Sequence, residues 1–549
     1  LQELAAKAAE LTELSAREIF DTLLQRERLG STGLGRGIAI PHVKFKSLTK
    51  IVCLFARLET PIEFEALDDE PVDLVGVTGM TCYAPRAFAI ADAFRARGVP
   101  VVMGGPHATL APYETLEHVD AVVIGEAENV WPQLLEDFEA GRMKEVYRGV
   151  DARSDLTCRP PPRWGLVPAT DYVFFGVEAT RGCPFDCSFC SIKQIYGPAY
   201  RTRPVDDVLA EIAAAPGNQL FFTDDNLIGN KRFAKDLFTA LDGADISWGC
   251  QMSINVGFMP DMLQRMKRAG CFFIFVGFET LDDDAVEAMG KKVNRLDYRQ
   301  AIANIQGAGI HVVGSFIVGT DHDDPTTFAR IADFVQLSRL SFVMVNILNS
   351  PPGTRLLADM EEQGRNRVYG YEELDGAHAT VTHPTMSRDE IEAGFRWLYR
   401  EVYGWDAMRA RFTASLGEGT WEQNSMTLSA RETVRIGLAL VWSYLRPGDP
   451  ARRRFFWAIV RRLGRRVNLD TVVNILLMAR AFHDFAHALE PRPAPAGDPI
   501  VFRPEYMVPV DEQVIGRDGA GTGVERTIPR MPGPSDRTAD ATRDSATGR

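Results

Sequence analysis

From residue 172 onward the chain alternates between two hydrophobic periods. Runs dense in apolar, β-branched and aromatic residues recur at 172–180 (YVFFGVEAT), 219–225 (QLFFTDD), 246–254 (ISWGCQMSI), 272–280 (FFIFVGFET), 311–319 (HVVGSFIVG) and 342–350 (FVMVNILNS). Between them lie segments whose apolar residues stand three and four apart, including PVDDVLAEIAAA, KRFAKDLFTALDGA, PDMLQRMKRAG, YRQAIANIQGAG and TTFARIADFVQLSRL. The first kind reads as strands and the second as amphipathic helices. Strands alternating with helices predict a parallel sheet, and six units predict a partial (β/α)6 TIM-like barrel over about 165–360 rather than a closed eight-unit one. Barrel active sites form at the carboxyl ends of the strands. The loop just past strand one therefore lies on the functional face.

A shorter alternation precedes the barrel, over 72–150. VDLVGVTGM (72–80) reads as a buried strand and AFAIADAFRARG as a helix ending at Gly98. VPVVMGGPHAT reads as a strand and loop, and VDAVVIGEAENVWPQLLEDF as a strand entering a helix. This α/β pattern is Rossmann-like, with Gly104, Gly105 and Gly125 at strand ends where a flat ligand can approach the backbone. At about 75 residues it falls short of the ~100 or more of a complete doubly wound domain, so its first strand–helix units are expected to be missing. After the barrel, SPPGTRLLADMEEQGR reads as an exit loop and helix, and 361–490 as a mainly helical region. There, ARRRFFWAIVRRLGRR sets seven arginines among apolar residues. That pattern suits an amphipathic helix on anionic lipid or beside an apolar substrate. It also suits a core helix with a solvated basic face, the more ordinary case. Residues 491–549, rich in Pro, Gly, Asp, Arg and Thr, read as a disordered tail.

Composition narrows the class. A chain of 549 residues, 45% hydrophobic and 25% charged, can form three or four units with substantial cores. A net charge of -13 argues against a general nucleic-acid binder. No run of eighteen apolar residues occurs. No secretory leader is visible at Leu1, a start that reads as a fragment rather than a natural initiation site. Eight cysteines are too sparse for a disulfide framework, and unpaired thiols favour the cytoplasm.

The most specific chemistry is GCPFDCSFC, which places Cys183, Cys187 and Cys190 in one loop. A structural zinc site and a four-cysteine electron-transfer cluster both need a fourth ligand. The next cysteine is Cys250, although a distant ligand could still close the site. The spacing, with Phe189 before the third cysteine, resembles the CxxxCxxC signature of radical S-adenosylmethionine (SAM) enzymes. That resemblance implies a [4Fe-4S] cluster whose unique iron binds the amino and carboxylate groups of SAM, reductive cleavage to a 5′-deoxyadenosyl radical, and an electron donor such as flavodoxin or ferredoxin. It also carries candidate cofactor contacts to the strand ends. Asp224, Asp225 and Asn226 match a polar motif near the methionine amino group, with a helix cap before Asn230 as the alternative. Ser253 and Asn255 resemble ribose or carboxylate contacts, and Glu279 in VGFET a residue that orients polar groups of SAM. Ile317 and Gly319 resemble the region packed on adenine, but a TDHDD loop replaces the family's acidic residue after that glycine.

VGVTGM, GGPHAT and GEAE, directly upstream of such a domain, resemble the cobalamin-binding module of cobalamin-dependent radical enzymes. This implies cobalamin contacts at Gly104, Gly105, Gly125, Glu126 and His107. The region lacks the DxHxxG motif through which many such modules ligate cobalt, so His107 is expected in a loop beside the corrin rather than as the ligand. Residues 1–75 resemble the first half of the nitrogen-type enzyme IIA of the bacterial phosphotransferase system. His42 in GIAIPHVK matches its phosphoryl acceptor, a role open to a neutral imidazole, although Val43 replaces the usual glycine. The two resemblances meet in PVDLV, as a recombination or assembly junction would, with a regulatory fusion as the alternative.

The module, barrel and helical extension together resemble the branch containing hopanoid C-2 methylases. This implies methylation of an unactivated carbon of a small, isoprenoid or lipid-like substrate, in the cytoplasm or peripherally at the inner membrane face. Radical rearrangement, cyclisation or oxidation without net methylation is the second reading, and a phosphocarrier acting through His42 the third.

Overall fold

The computed structural model describes residues 72–149, 156–159, 161–166, 172–416, 430–462 and 469–491, with short pieces at 9, 14–19, 33–35 and 38–39. Among those pieces, Gly33–Gly35 pairs with Ile38–Ala39. His42, the rest of the enzyme IIA-like segment and the expected tail after 491 lie outside the described residues.

The upstream module is a parallel sheet of four strands in sequence order: β1 (Val75–Thr78), β2 (Val101–Gly104), β3 (Ala121–Ile124) and β4 (Val146–Arg148). Strands β2 and β3 are the buried centre. Two expectations change here. β1 was expected to be buried, but alternate residues face outward, because among the described residues it is the edge strand. GGPHAT is not a loop: Gly105–Leu110 is a short helix with Pro106 in its first turn, where proline's missing N–H costs nothing. The fourth strand, β4, was not foreseen.

All six barrel strands form: β5 (Phe175–Val177), β6 (Gln219–Phe222), β7 (Ser247–Gln251), β8 (Cys271–Glu279), β9 (His311–Val318) and β10 (Phe342–Ile347). They make one parallel sheet in sequence order, the arrangement of a barrel left open between β5 and β10. Helices Val205–Ala214, Lys231–Ala240, Pro260–Arg268, Tyr298–Gly307 and Thr327–Leu337 occupy the crossovers. Aromatic packing fills the core, with Trp248 stacked on Phe238 at 5.3 Å and Phe278 on Phe316 at 5.3 Å.

An open barrel leaves an edge strand whose backbone groups need partners. The helix Arg388–Val402 and its cap supply them to β10. The Tyr403 hydroxyl accepts from Val343 N at 2.9 Å and donates to Val343 O at 2.6 Å, and Tyr399 does the same for Val345 at 3.0 and 3.1 Å. Trp405–Ser415, Ala430–Leu445, Pro450–Val460 and Leu469–Ala488 extend this helical layer. In the arginine-rich helix Pro450–Val460, Phe455, Phe456, Ile459 and Arg452 are buried, the core-helix pattern. Arg452 donates to the carbonyls of Tyr444 and Arg446. Among the described residues no helix is long and apolar enough to cross a membrane.

Candidate active site

The cysteine loop leaves the barrel after β5 through a two-residue hairpin, Thr180–Arg181 paired with Arg201–Thr202. Gly182 turns the chain into the loop with φ 90°, and a Cβ there would lie 2.8 Å from the Ala199 carbonyl oxygen, so only glycine fits. Residues beyond β8 and β10 pin the loop. Ser188 N donates to Met289 O at 3.1 Å, Leu356 N to Ser188 O at 3.0 Å, and the Arg355 guanidinium to Asp186 O at 2.6 Å. Phe189 packs against a small apolar cluster of Met289, Ile317 and Leu348. The aromatic residue before the third cysteine thus wedges the loop onto the end of β9.

All three thiols are half-buried. Burial pushes Cys187 up to about 12 and Cys190 up to about 11, and raises Cys183 as well. Cys187 feels both other thiols and Glu279, and Lys291 opposes the rise at all three. Among the described residues no three His, Cys, Asp or Glu side chains converge closely enough to hold a single metal ion. Three electrostatically coupled thiols in one loop are the thiolate donors that an iron–sulfur cluster takes.

The other candidates separate into those facing the thiols and those that brace the scaffold. Asp224 is a brace: its buried carboxylate accepts from Thr180 Oγ1 at 2.5 Å and Ala179 N at 3.2 Å, tying β6 to the start of the loop. Burial raises its pKa to about 7. Asp225, raised to about 6 by burial and by Glu178, lies within electrostatic reach of Cys183 and Cys190. The Asn226 side chain approaches Cys183 and accepts from Ser253 N at 3.2 Å, joining the ends of β6 and β7. The helix cap is Asn230, which accepts from Arg232 N and Phe233 N. Asn255 presents a buried carbonyl oxygen with no partner, as a group awaiting a ligand donor would.

Glu279 closes β8 at a bulge with φ 65°. It pairs with Lys291, whose ammonium also donates to Gly277 O at 2.9 Å. Lys291 was not singled out from the sequence. It follows Gly290 in an ordinary MGKK stretch, and only the fold brings it to the thiols. Ile317 is in the Phe189 cluster, and Gly319 adopts φ 87° against Ile347 and Ile391. The TDHDD loop folds on itself, with Thr320 N donating to Asp323 at 2.8 Å and the Thr320 carbonyl 2.7 Å from His383 Nε2.

In the module, Gly105 has φ 86° and a Cβ there would meet Thr78 Oγ1 at 2.2 Å. Gly104 ends β2, and Gly125, after β3, donates its N–H to Thr109 Oγ1 at 2.9 Å. His107 departs from expectation. It is fully buried on the short helix, edge-on to Phe88 and Tyr371, with neither ring nitrogen hydrogen-bonded. The Glu126 carboxylate is engaged by Arg181 and Arg201 of the barrel hairpin.

Residues 177–335, from the end of β5 to the helix before β10, match the model of the Radical SAM superfamily. The barrel is a radical SAM domain. Upstream of it, residues 54–135 match the B12 binding domain and residues 1–81 the EIIA 2 component of the phosphoenolpyruvate-dependent sugar phosphotransferase system; the two matches overlap across PVDLV. The chain is 29% identical over 364 residues to the bacteriochlorophyllide d C-12(1)-methyltransferase of Chlorobaculum tepidum, covering 64% of this chain and 79% of that one. It is 29% identical over 439 residues to the hopanoid C-2 methylase of Rhodopseudomonas palustris, covering 76% and 81%. Its first part is 63% identical over 75 residues to the nitrogen regulatory protein of Bradyrhizobium diazoefficiens, 14% of this chain but only 49% of that protein. Among solved structures, the radical SAM methyltransferase TsrM of Kitasatospora setae aligns with a TM-score of 0.48 at 15% identity, over 74% of this chain and 88% of that one. The radical SAM domain brings a [4Fe-4S] cluster and SAM as cofactors, and the B12 match brings cobalamin.

Proposed function

We propose that the chain is a cobalamin-dependent radical SAM methyltransferase acting on an unactivated carbon of a small, lipid-like substrate. The observation that carries the reading is a single shared face. The three-cysteine loop, Asn226, Ser253 and Glu279 stand at the carboxyl ends of β5 to β8, and the end of β3 in the cobalamin-type module is ion-paired to the base of that loop. The names of two relatives, a bacteriochlorophyllide d methyltransferase and a hopanoid methylase, support methyl transfer.

Cys183, Cys187 and Cys190 would hold the cluster, leaving one iron for SAM. Asp225, Asn226, Ser253, Asn255 and Glu279 would receive the polar groups of SAM, and Ile317 and Gly319 its adenine. Gly104, Gly105 and Gly125 would let the corrin approach the module's backbone. When bound, these groups supply a 5′-deoxyadenosyl radical that removes a hydrogen from the substrate and a methyl group that replaces it. The protein's own work is positional and electrostatic. Phe189 and its apolar neighbours hold the loop and keep water from one side of it, and Lys291 offsets the negative charge gathered by Glu279 and three thiolates. No residue is needed as a general base. Such an enzyme takes its electron from a flavodoxin or ferredoxin and works in the cytoplasm.

Comparing metabolites of cells with and without the intact gene tests the assignment. A product heavier than its precursor by one methylene, present only with the gene, is expected; products differing by ring closure or oxidation alone would overturn methylation.

A further inference from the structure

The base of the cysteine loop is fastened to the four-stranded module by a buried ionic strut. In the hairpin, Thr180 stands opposite Thr202 and Arg181 opposite Arg201. Two guanidinium groups facing each other across a strand pair repel unless an anion lies between them. Glu126, just past β3, is that anion. Its Oε2 accepts from Arg201 at 2.9 Å and lies 3.1 Å from Arg181, while Oε1 pairs with the second Arg201 nitrogen. Glu128 adds a contact to Arg181 at 2.9 Å. From the barrel side, Glu178 takes Arg181 in a two-point bond at 3.0 and 2.9 Å. Arg181 and Glu126 are 8% and 7% exposed, so water screens the pairs little, and losing one partner strands the others as buried charge.

The strut's position gives it a consequence. Arg181 is two residues from Cys183, and Arg201 closes the same loop; Glu126 belongs to the region that matches the B12 binding domain. We propose that Glu126, Arg181 and Arg201 set the placement of the cobalamin-type module against the cysteine loop, which makes Arg181 and Arg201 positioning residues for methyl passage between the two cofactor regions. This rests on the methyltransferase reading above.

A charge swap tests it. Arg201→Glu keeps a cross-strand ion pair with Arg181 but sets carboxylate against carboxylate at Glu126; adding Glu126→Arg restores opposite charges with the positions exchanged. The full chain, reconstituted with iron, sulfide and cobalamin and supplied anaerobically with SAM, reductant and extract from cells lacking the gene, is assayed for iron content, for hydrogen exchange, and for the ratio of S-adenosylhomocysteine to 5′-deoxyadenosine. In Arg201→Glu, iron and 5′-deoxyadenosine formation are retained, while exchange at 124–128 and 180–202 quickens by about 100-fold, as breaking a buried pair implies. The product ratio falls by about tenfold or more, because misplaced reacting groups lose rate steeply. The double variant recovers both. Unchanged exchange, an unchanged ratio, loss of iron along with the ratio, or a double variant no better than the single one would each overturn the strut. Should the reversal not accumulate as folded protein, Arg201→Gln must still quicken exchange at both segments, and its failure to do so is equally decisive. A wild-type chain that binds no iron and forms no 5′-deoxyadenosine would instead refute the radical reading, and the exchange comparison would still decide the strut.

Discussion

Replacing His107 tests how the module is built, because the structure makes this imidazole a liability rather than a ligand. It is fully buried between Phe88 and Tyr371 with both nitrogens unpaired, and burial lowers its pKa from 6.5 to about 4. The unfolded chain therefore takes up a proton before the folded one does. The stability that neutral His107 contributes is fully present above about pH 6.5 and is lost as pH falls toward about 4. At about 1.36 kcal/mol per pKa unit the shift corresponds to ~3 kcal/mol in total, of which about 2 kcal/mol is lost between pH 7 and pH 5. His107→Leu removes the proton site and both unpaired nitrogens while keeping a similar volume, a change that is neutral or stabilising at pH 7. The assay is amide hydrogen exchange of the Gly105–Leu110 helix in the full chain, wild type against variant at each pH, so that intrinsic exchange rates cancel. Wild type should lose about 30-fold more protection than His107→Leu between pH 7 and pH 5, the equivalent of that ~2 kcal/mol. Equal losses in the two proteins would mean instead that His107 is solvated or hydrogen-bonded in the folded chain.

Further substitutions probe the loop and its surroundings. Cys187→Ala should abolish 5′-deoxyadenosine formation and lower iron bound per chain, whereas retained activity would remove the cluster assignment. Lys291→Gln strands Glu279 as a buried carboxylate beside the thiols, at about 3–5 kcal/mol. It should depress both thermal stability and iron retention, with Lys291→Arg restoring most of each. Gly182→Ala puts a side chain at φ 90° and 2.8 Å from the Ala199 carbonyl, so a loss of about 1–3 kcal/mol and poorer iron retention are expected by thermal melt and iron assay.

Much of the barrel is legible in the sequence because each strand sits in a run dense in apolar, β-branched and aromatic residues and each crossover helix keeps a clear apolar stripe. The strand order follows as well, since consecutive parallel units neighbour one another. β1 shows where this stops: VDLVGVTGM has the composition of a buried strand, and only the neighbours available in the sheet leave it at the edge. GGPHAT reads as a turn because Gly-Gly-Pro usually is one, yet proline in a first helical turn fits equally well. The cysteine loop was legible as a motif, but its supports were not. Lys291 reaches it from more than a hundred residues away, and Glu126 meets Arg201 at a separation of 75 residues. Asp224 and Asp225 are indistinguishable in sequence. One turns back to Thr180 and Ala179 and the other toward the thiols, a difference decided by the alternation of side chains at the end of β6.

In the proposed reaction the loop at the end of β5 and the module beside it act together on one methyl group. Its most direct test is anaerobic incubation of the reconstituted chain with SAM, reductant and cobalamin, supplemented with extract from cells lacking the gene. 5′-Deoxyadenosine and S-adenosylhomocysteine should both form, both should depend on Cys187, and S-adenosylhomocysteine should also depend on cobalamin. Formation of 5′-deoxyadenosine alone, with no S-adenosylhomocysteine at any cobalamin concentration, would contradict it.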